Sequence, residues 1–355
     1  MKLAFTSCAD PLDAPRQPVW ALIAARRPDH LLLLGDQMYM DYGAGLNPGN
    51  GQPAGFDDLE FAAHMHHRYQ SQWAAMQGSG LWQLPGLQVH GVWDDHDFAW
   101  NNSYGGAGPV DAHEDYDAHE LPVPPRKQQI SRHLFRQFFR HLRAPVYPVN
   151  ELSSAAAIDR LNEDLRQPVF HSEALPAGAR EGRVALAPGV NLLLTDGRSF
   201  RSSRERPHAQ RTLLGRAQMD WLRNNIDDHA VSLIASGCTL DRNGELTNPE
   251  CWSNYPDHDE LKAFLALRPA ARVLLLSGDV HNTGLRDDHG PNLIEVVASG
   301  AARPMGNVIL HDRGNHAVLE FGASTIRVGR HEGEPPVHTW HSESVIDRAS
   351  WRLLG

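Results

Sequence analysis

The chain has little cysteine: three in 355 residues. Cys8, Cys238 and Cys251 are too few and too scattered to make a disulfide framework. Positive charge is also short. The 33 Lys and Arg against 43 Asp and Glu leave a formal charge of -10, which argues against a dedicated nucleic-acid scaffold with its basic footprint. No run approaches the ~18 apolar residues of a membrane-crossing helix. The N-terminus shows neither an apolar h-region nor a small-residue cleavage pattern, so the chain reads as cytoplasmic. No internal repeat or linker divides it. Hydrophobic residues at 41% and charged residues at 21% are ordinary for a globular enzyme. The expectation is a single α/β domain over residues 1–330, with 331–355 an extension packed on it.

What the chain does have is one pattern used repeatedly. Leu31-Leu32-Leu33-Leu34 has no helical stripe and reads as a strand buried on both faces. It stops at Gly35 and delivers Asp36, with Tyr39 and Asp41 close behind. The carboxyl end of a central strand is where open α/β sheets place ligands. One strand-end aspartate can equally be a cap, but the pattern recurs. Leu3 to Ser7 leads to Cys8, Val89 to Trp93 to Asp94-Asp95-His96-Asp97, Val190 to Thr195 to Asp196, and Val273 to Gly278 to Asp279-Val280-His281. Five apolar strands delivering Cys, Asp or His at one rim describe a metal site.

The rest of the chain fills in around these strands. Helices are expected over Val19–Arg26, Asp57–Met76, about Gln128–Leu142, Leu214–Ile226 and Asp257–Leu267, with a more polar one over about Leu152–Leu165. His64, His66 and His67 read as a solvated helix flank. Residues 102–125, rich in Gly, Asp, Glu and His, read as a lid-like insertion. Asp196 to Arg206 is the one locally basic stretch. Its arginines suit bidentate grasp of phosphate, although exposed loop arginines are the plainer alternative. Leu293 to Ala298 and Ala317 to Gly329 add strands, the last two a hairpin at the sheet edge, and the tail has no assignment.

Cys8, Asp36, Tyr39, Asp94, Asp95, Asp279 and His281 mix hard oxygen donors with a thiolate and an imidazole. Such a set suits two cations ~3.5–4 Å apart. A Tyr or Cys ligand favours iron or zinc at one position, and carboxylates favour calcium, magnesium or manganese at the other.

In this order, Ser7-Cys8, Gly35 to Asp41, Trp93 to Asp97, Asp196 to Arg201 and Ser277 to His281 resemble the PhoD-like alkaline phosphatases of the calcineurin-like metallophosphoesterase superfamily. Leu214 to Leu222 and Trp252 to Pro256 are similar to two further segments of that family. The resemblance implies a four-layer α/β/β/α sandwich around a dinuclear centre. It implies Cys8, Asp36, Tyr39 and His281 on a first metal, with Asp36 bridging, and Asp95 with Asp279 on a second, Asp94 being the rival of Asp95. His96 then stabilises the phosphate or protonates the leaving group, Arg198 lies on the phosphate side, and Asn101 adds a contact. The implied reaction is attack of a metal-bound hydroxide on a small phosphodiester or phosphomonoester. The rival from another class is a non-catalytic protein that keeps the fold to sense nucleotide or phosphate.

Overall fold

Leu31 to Leu34 shows how the layers arise. Side chains alternate across a strand, so Leu32 and Leu34 enter one apolar cluster while Leu31 and Leu33 enter another. A strand with no polar face must be covered on both sides. The structure, a computed structural model, describes residues 1–11, 16–41, 53–108, 122–241, 250–302, 314–333 and 340–354.

In chain order the elements begin β1 (Lys2–Thr6), α1 (Val19–Ala25), β2 (His30–Leu34), α2 (Asp58–Met76), β3 (Gln88–Val92), α3 (Asp95–Phe98), α4 (Pro125–Arg140), α5 (Ala155–Asp159) and β4 (His171–Ser172). There follow β5 (Arg183–Ala187), β6 (Val190–Leu194), α6 (Arg216–Asn225), β7 (Val231–Ser236), α7 (Pro256–Ala266), β8 (Arg272–Ser277), β9 (Thr283–Arg286) and β10 (Leu293–Ala298). Last come β11 (His316–Phe321), β12 (Thr325–Glu332), β13 (Trp340–Asp347) and β14 (Arg352–Leu354).

Eight strands form one sheet in the order β14-β13-β12-β11-β1-β2-β3-β4, and six form the other in the order β5-β6-β7-β8-β10-β9. Within the first, β1, β2 and β3 run parallel. Within the second, β6, β7, β8 and β10 do. Phe5, Leu32, Val92, Leu194, Leu233, Leu274 and Val296 fill the space between the sheets. The outer face of the first is covered through Phe61, Met65, Leu134 and Phe138 of α2 and α4, and that of the second through Met219, Leu222, Leu261 and Leu265 of α6 and α7. The result is the α/β/β/α sandwich, in which the parallel strands of each sheet end in the loops that carry the candidate residues.

Helix bounds follow local chemistry. Asp57 caps α2, accepting from the amides of Leu59 and Glu60 while Glu60 reaches back to its own amide. The polar helix expected over 152–165 is shorter, covering only Ala155–Asp159. The carbonyls of Asp164, Leu165 and Gln167 turn instead toward the buried Arg132 guanidinium. His66 is buried, with Nε2 3.0 Å from Pro148 O, so that flank is not wholly solvated. The β11–β12 hairpin lies inside the sheet. Residues beyond 330 add β13 and β14 at its edge. Of the expected lid-like insertion, 109–121 falls outside the described residues. Gly105 and Gly106 bind the carbonyls of Arg198 and Arg201 at 2.9 Å. Among the described residues no helix is long and apolar enough to cross a membrane.

Candidate metal centre

Four of the candidate residues lie just past the ends of parallel strands, where the chain turns sharply. Cys8, Asp36, Asp279 and His281 take φ values of 61°, 52°, 75° and 51°, in the left-handed region that non-glycine residues seldom enter. Gly35 has a φ of 93°, and a Cβ there would lie 2.5 Å from Asp94 Cβ. At Gly237 a Cβ would lie 2.6 Å from the Asp94 carboxylate. Glycines on both sides thus let Asp94 stand between loops from the two sheets.

The expected first-metal group is contiguous. Tyr39 Oη donates to Asp36 Oδ2 at 3.3 Å and lies 3.1 Å from His281 Nε2. Cys8 Sγ is 3.4 Å from the same Asp36 oxygen and 3.8 Å from the carbonyl of Asp279. Ser299 Oγ lies 3.1 Å from Cys8 Sγ and accepts from the His281 amide at 2.9 Å. The His96 amide donates to Asp36 Oδ1. The His96 ring puts Nδ1 2.8 Å from Asp41 Oδ1 and Nε2 4.0 Å from Asp95 Oδ2. Asp279 and His281 are half-buried and mark the open side.

A second knot surrounds Arg198, whose side chain is fully buried. Nε donates to Asp94 Oδ1 at 2.5 Å, the terminal nitrogens donate to Glu250 at 2.6 and 3.0 Å, and Nη2 lies 3.6 Å from Asp95 Oδ1. Arg201 also reaches Glu250, at 3.1 Å. Arg198 therefore grasps protein carboxylates in this structure, where the sequence suggested phosphate. The Asn101 amide donates to Asp41 Oδ2 at 2.7 Å. Asp196, at the end of β6, accepts from Trp93 Nε1 and from the amides of Val169, Arg198 and Ser199; it is a loop organiser.

Electrostatics separates the two knots. Around Arg198, burial alone would penalise every charge, yet Arg198 holds Glu250 down to about 2 and the acids hold the guanidinium charged. Around Asp36 no such cation exists among the described residues. Burial, then Cys8 and Asp95, push Asp36 well above the usual carboxylate range. Burial and then Glu250 push Asp95 up to about 6, and the same two causes raise Asp279. Burial lifts the Cys8 thiol to about 11. Asp94 Oδ2 and Asp95 Oδ1 are buried without a hydrogen-bond partner.

Asp36, Asp95 and His96 bring ligand atoms within 4.8 Å of one another, as do Asp94, Asp95 and Glu250. In the second group Arg198, with Arg201 on Glu250, already pairs with the acids. In the first, no guanidinium pairs with Asp36, and the negative surplus around it is what a bound cation resolves. The donor set fits them.

Sequence reasoning missed three residues here. Glu250 lies two residues before the Trp252 to Pro256 segment, but no strand end announces it. Ser299 and Glu295 lie on β10 or just beyond its end, where a strand reading assigns them only to a face. Asp41 was placed near the crevice, though not as the partner of His96.

The solved structure of PhoD overlays with a TM-score of 0.64 at 14% identity, covering 100% of this chain and 71% of that one. A Staphylococcus aureus structure determined as a candidate 5′-nucleotidase, with α-ketoglutarate bound, covers 91% of this chain and 51% of its own at 11% identity. Its TM-score of 0.37 carries no argument. No curated protein sequence matches the chain. The profile of the PhoD-like phosphatase family matches residues 3–344, nearly the whole chain, and the chain belongs to that family.

Proposed function

We propose that this chain is a metal-dependent phosphoesterase acting on small phosphodiesters or phosphomonoesters at a dinuclear centre. The observation that carries the reading is the surplus of buried acid around Asp36, next to a thiol, a phenol and two imidazoles on one rim. Cys8, Asp36, Tyr39 and His281 would hold the first cation, Asp95 and Asp279 the second, with Asp36 shared. The thiol and phenol suit iron or zinc, and the carboxylates suit calcium, manganese or magnesium. Asp94 has one oxygen committed to Arg198, which favours Asp95 as the ligand of the pair.

When bound, two such cations supply an activated water nucleophile and neutralise charge on the phosphoryl oxygens. The chain's own residues do the rest. Asp41 holds His96 by Nδ1, which fixes the ring and leaves Nε2 on the side of the acids. A proton carried there is in place for the leaving oxygen. Arg198 is a positioning residue that fixes Asp94, Asp95 and Glu250 relative to one another. The half-buried Asp279, His281, Asp41 and Asn101 border the approach.

The test combines elemental analysis of protein purified without chelator with hydrolysis of bis-p-nitrophenyl phosphate and p-nitrophenyl phosphate. Two metals per chain are expected, with turnover in the wild type and none in Asp36→Ala. Metal-free wild-type protein, or turnover unchanged in the mutant, overturns the reading. Stoichiometric metal with no turnover of either ester points to the sensing role.

A further inference from the structure

The strand β10 reads Leu-Ile-Glu-Val-Val-Ala, and every residue in it is buried. Glu295 is 0% exposed. A carboxylate in the middle of a strand that otherwise supplies core is costly to bury, and an apolar residue would fill the position without that cost. Its contacts show what it holds. Oε1 accepts from the Leu240 amide and from Ser277 Oγ, each at 2.7 Å. Ser277 is the last residue of β8, two before Asp279. Leu240 follows Gly237 on the loop beyond β7, where Gly237 backs the Asp94 carboxylate. One oxygen thus ties two loops that wall the candidate metal centre, and those loops already touch: a Cβ at Gly278 would lie 2.8 Å from Gly237 O.

The second oxygen is held by a histidine. His289 Nε2 lies 3.1 Å from Glu295 Oε2 and Nδ1 lies 3.0 Å from Asp241 Oδ2. An imidazole between two acceptors makes both bonds only with both nitrogens protonated, so the geometry describes an imidazolium that neutralises Glu295. Burial opposes that charge, but Asp241 and Glu295 outweigh it. Asp241 also faces His258 Nε2 at 3.4 Å, and His258 Nδ1 faces the exposed Asp259 at 2.8 Å. Charge alternates along Glu295, His289, Asp241, His258 and Asp259, from core to surface. Four residues past Glu295 and just beyond the end of β10, Ser299 fastens the His281 amide and Cys8. The strand therefore grips the Asp279–His281 turn from both sides.

We propose that Glu295, held in place by His289, is a positioning residue for the metal centre, setting the spacing between the Asp279 turn and the loop behind Asp94. The inference rests on the phosphoesterase reading. Its test measures Mn²⁺ affinity by chelator competition, thermal unfolding, and kcat and KM for bis-p-nitrophenyl phosphate. Ser277→Ala deletes one hydroxyl and is the variant most certain to fold. It is expected to bind Mn²⁺ about 10-fold more weakly, with near-native melting, lower kcat and little change in KM. Glu295→Ala is expected to lose about 100-fold. Glu295→Gln, whose amide oxygen accepts the same two bonds, is expected to recover most of it. Folded Ser277→Ala and Glu295→Ala with wild-type Mn²⁺ affinity overturn the inference alone. A wild type that neither binds Mn²⁺ nor turns over overturns the phosphoesterase reading and this inference with it.

Discussion

Arg198 illustrates how far single residues could be read. The Asp-Gly-Arg run after β6 marked an arginine beside the site, and the structure puts it there. What the run did not carry is burial, because the residue that encloses the guanidinium, Glu250, lies 52 positions away. The difference has a measurable consequence. Arg198→Ala leaves Asp94 as an uncompensated buried charge and Glu250 with Arg201 alone, which costs about 3–5 kcal/mol, so its urea midpoint should fall sharply. A phosphate clamp alone would raise KM and leave the midpoint in place. His96 makes the complementary case. His96→Gln should lower kcat on the order of 10²–10⁴-fold, the range of a lost general acid. It should also change acid stability. Burial raises the Asp41 carboxyl, but His96 outweighs it and holds it below the usual value. Asp41 therefore adds stability that is present at neutral pH and lost as pH falls from about 4 through its lowered value. Acid titration of the variant by circular dichroism should lack that component.

Among elements, those with a strong period or a strong cap were legible, and those made by distant partners were not. The leucine runs of β2 and β8 and the Asp57 box of α2 announce themselves locally. The segment after Asp159 is helical in composition, but it gives its carbonyls to Arg132, a tertiary demand no window reveals. The loops that end the strands carry the same lesson in their glycines. At Gly237 the obstacle to a side chain is Asp94, itself locked by Arg198 and backed by Gly35, so nothing nearby can give way. Gly237→Ala should cost about 1–3 kcal/mol through overpacking and should abolish turnover. Urea melts beside the ester assay would check both; a mutant with native stability and activity would show that the wall is pliant.

Taken whole, the two-faced apolar strands made parallel sheets covered on both sides readable, while the four layers came from the family resemblance. The β13–β14 edge was not readable, its strands being short or half-exposed with no clear alternation. Nor were the buried histidines that layering creates. Burial, with His30 beside it, lowers His90 to about 3, and burial lowers His171 and His316 to about 4. A histidine with a depressed folded value stays neutral in the native state and takes a proton on unfolding below ~6.5. Its stabilisation is full above that pH and is lost as pH falls toward the folded value. His316→Leu should flatten the dependence of unfolding free energy on pH between 6.5 and 4.5 by about 1.4 kcal/mol per pH unit, one proton; an unchanged slope would show that His316 charges within the fold. A different tension comes from the left-handed Cys8, Asp36, Asp279 and His281. Each costs about 1 kcal/mol, against a net stability of roughly 5–15 kcal/mol for a domain. Variants chosen for heat resistance alone should therefore drift to glycine at these four positions, and breeding a sturdier chain would erase the residues proposed to hold its metals.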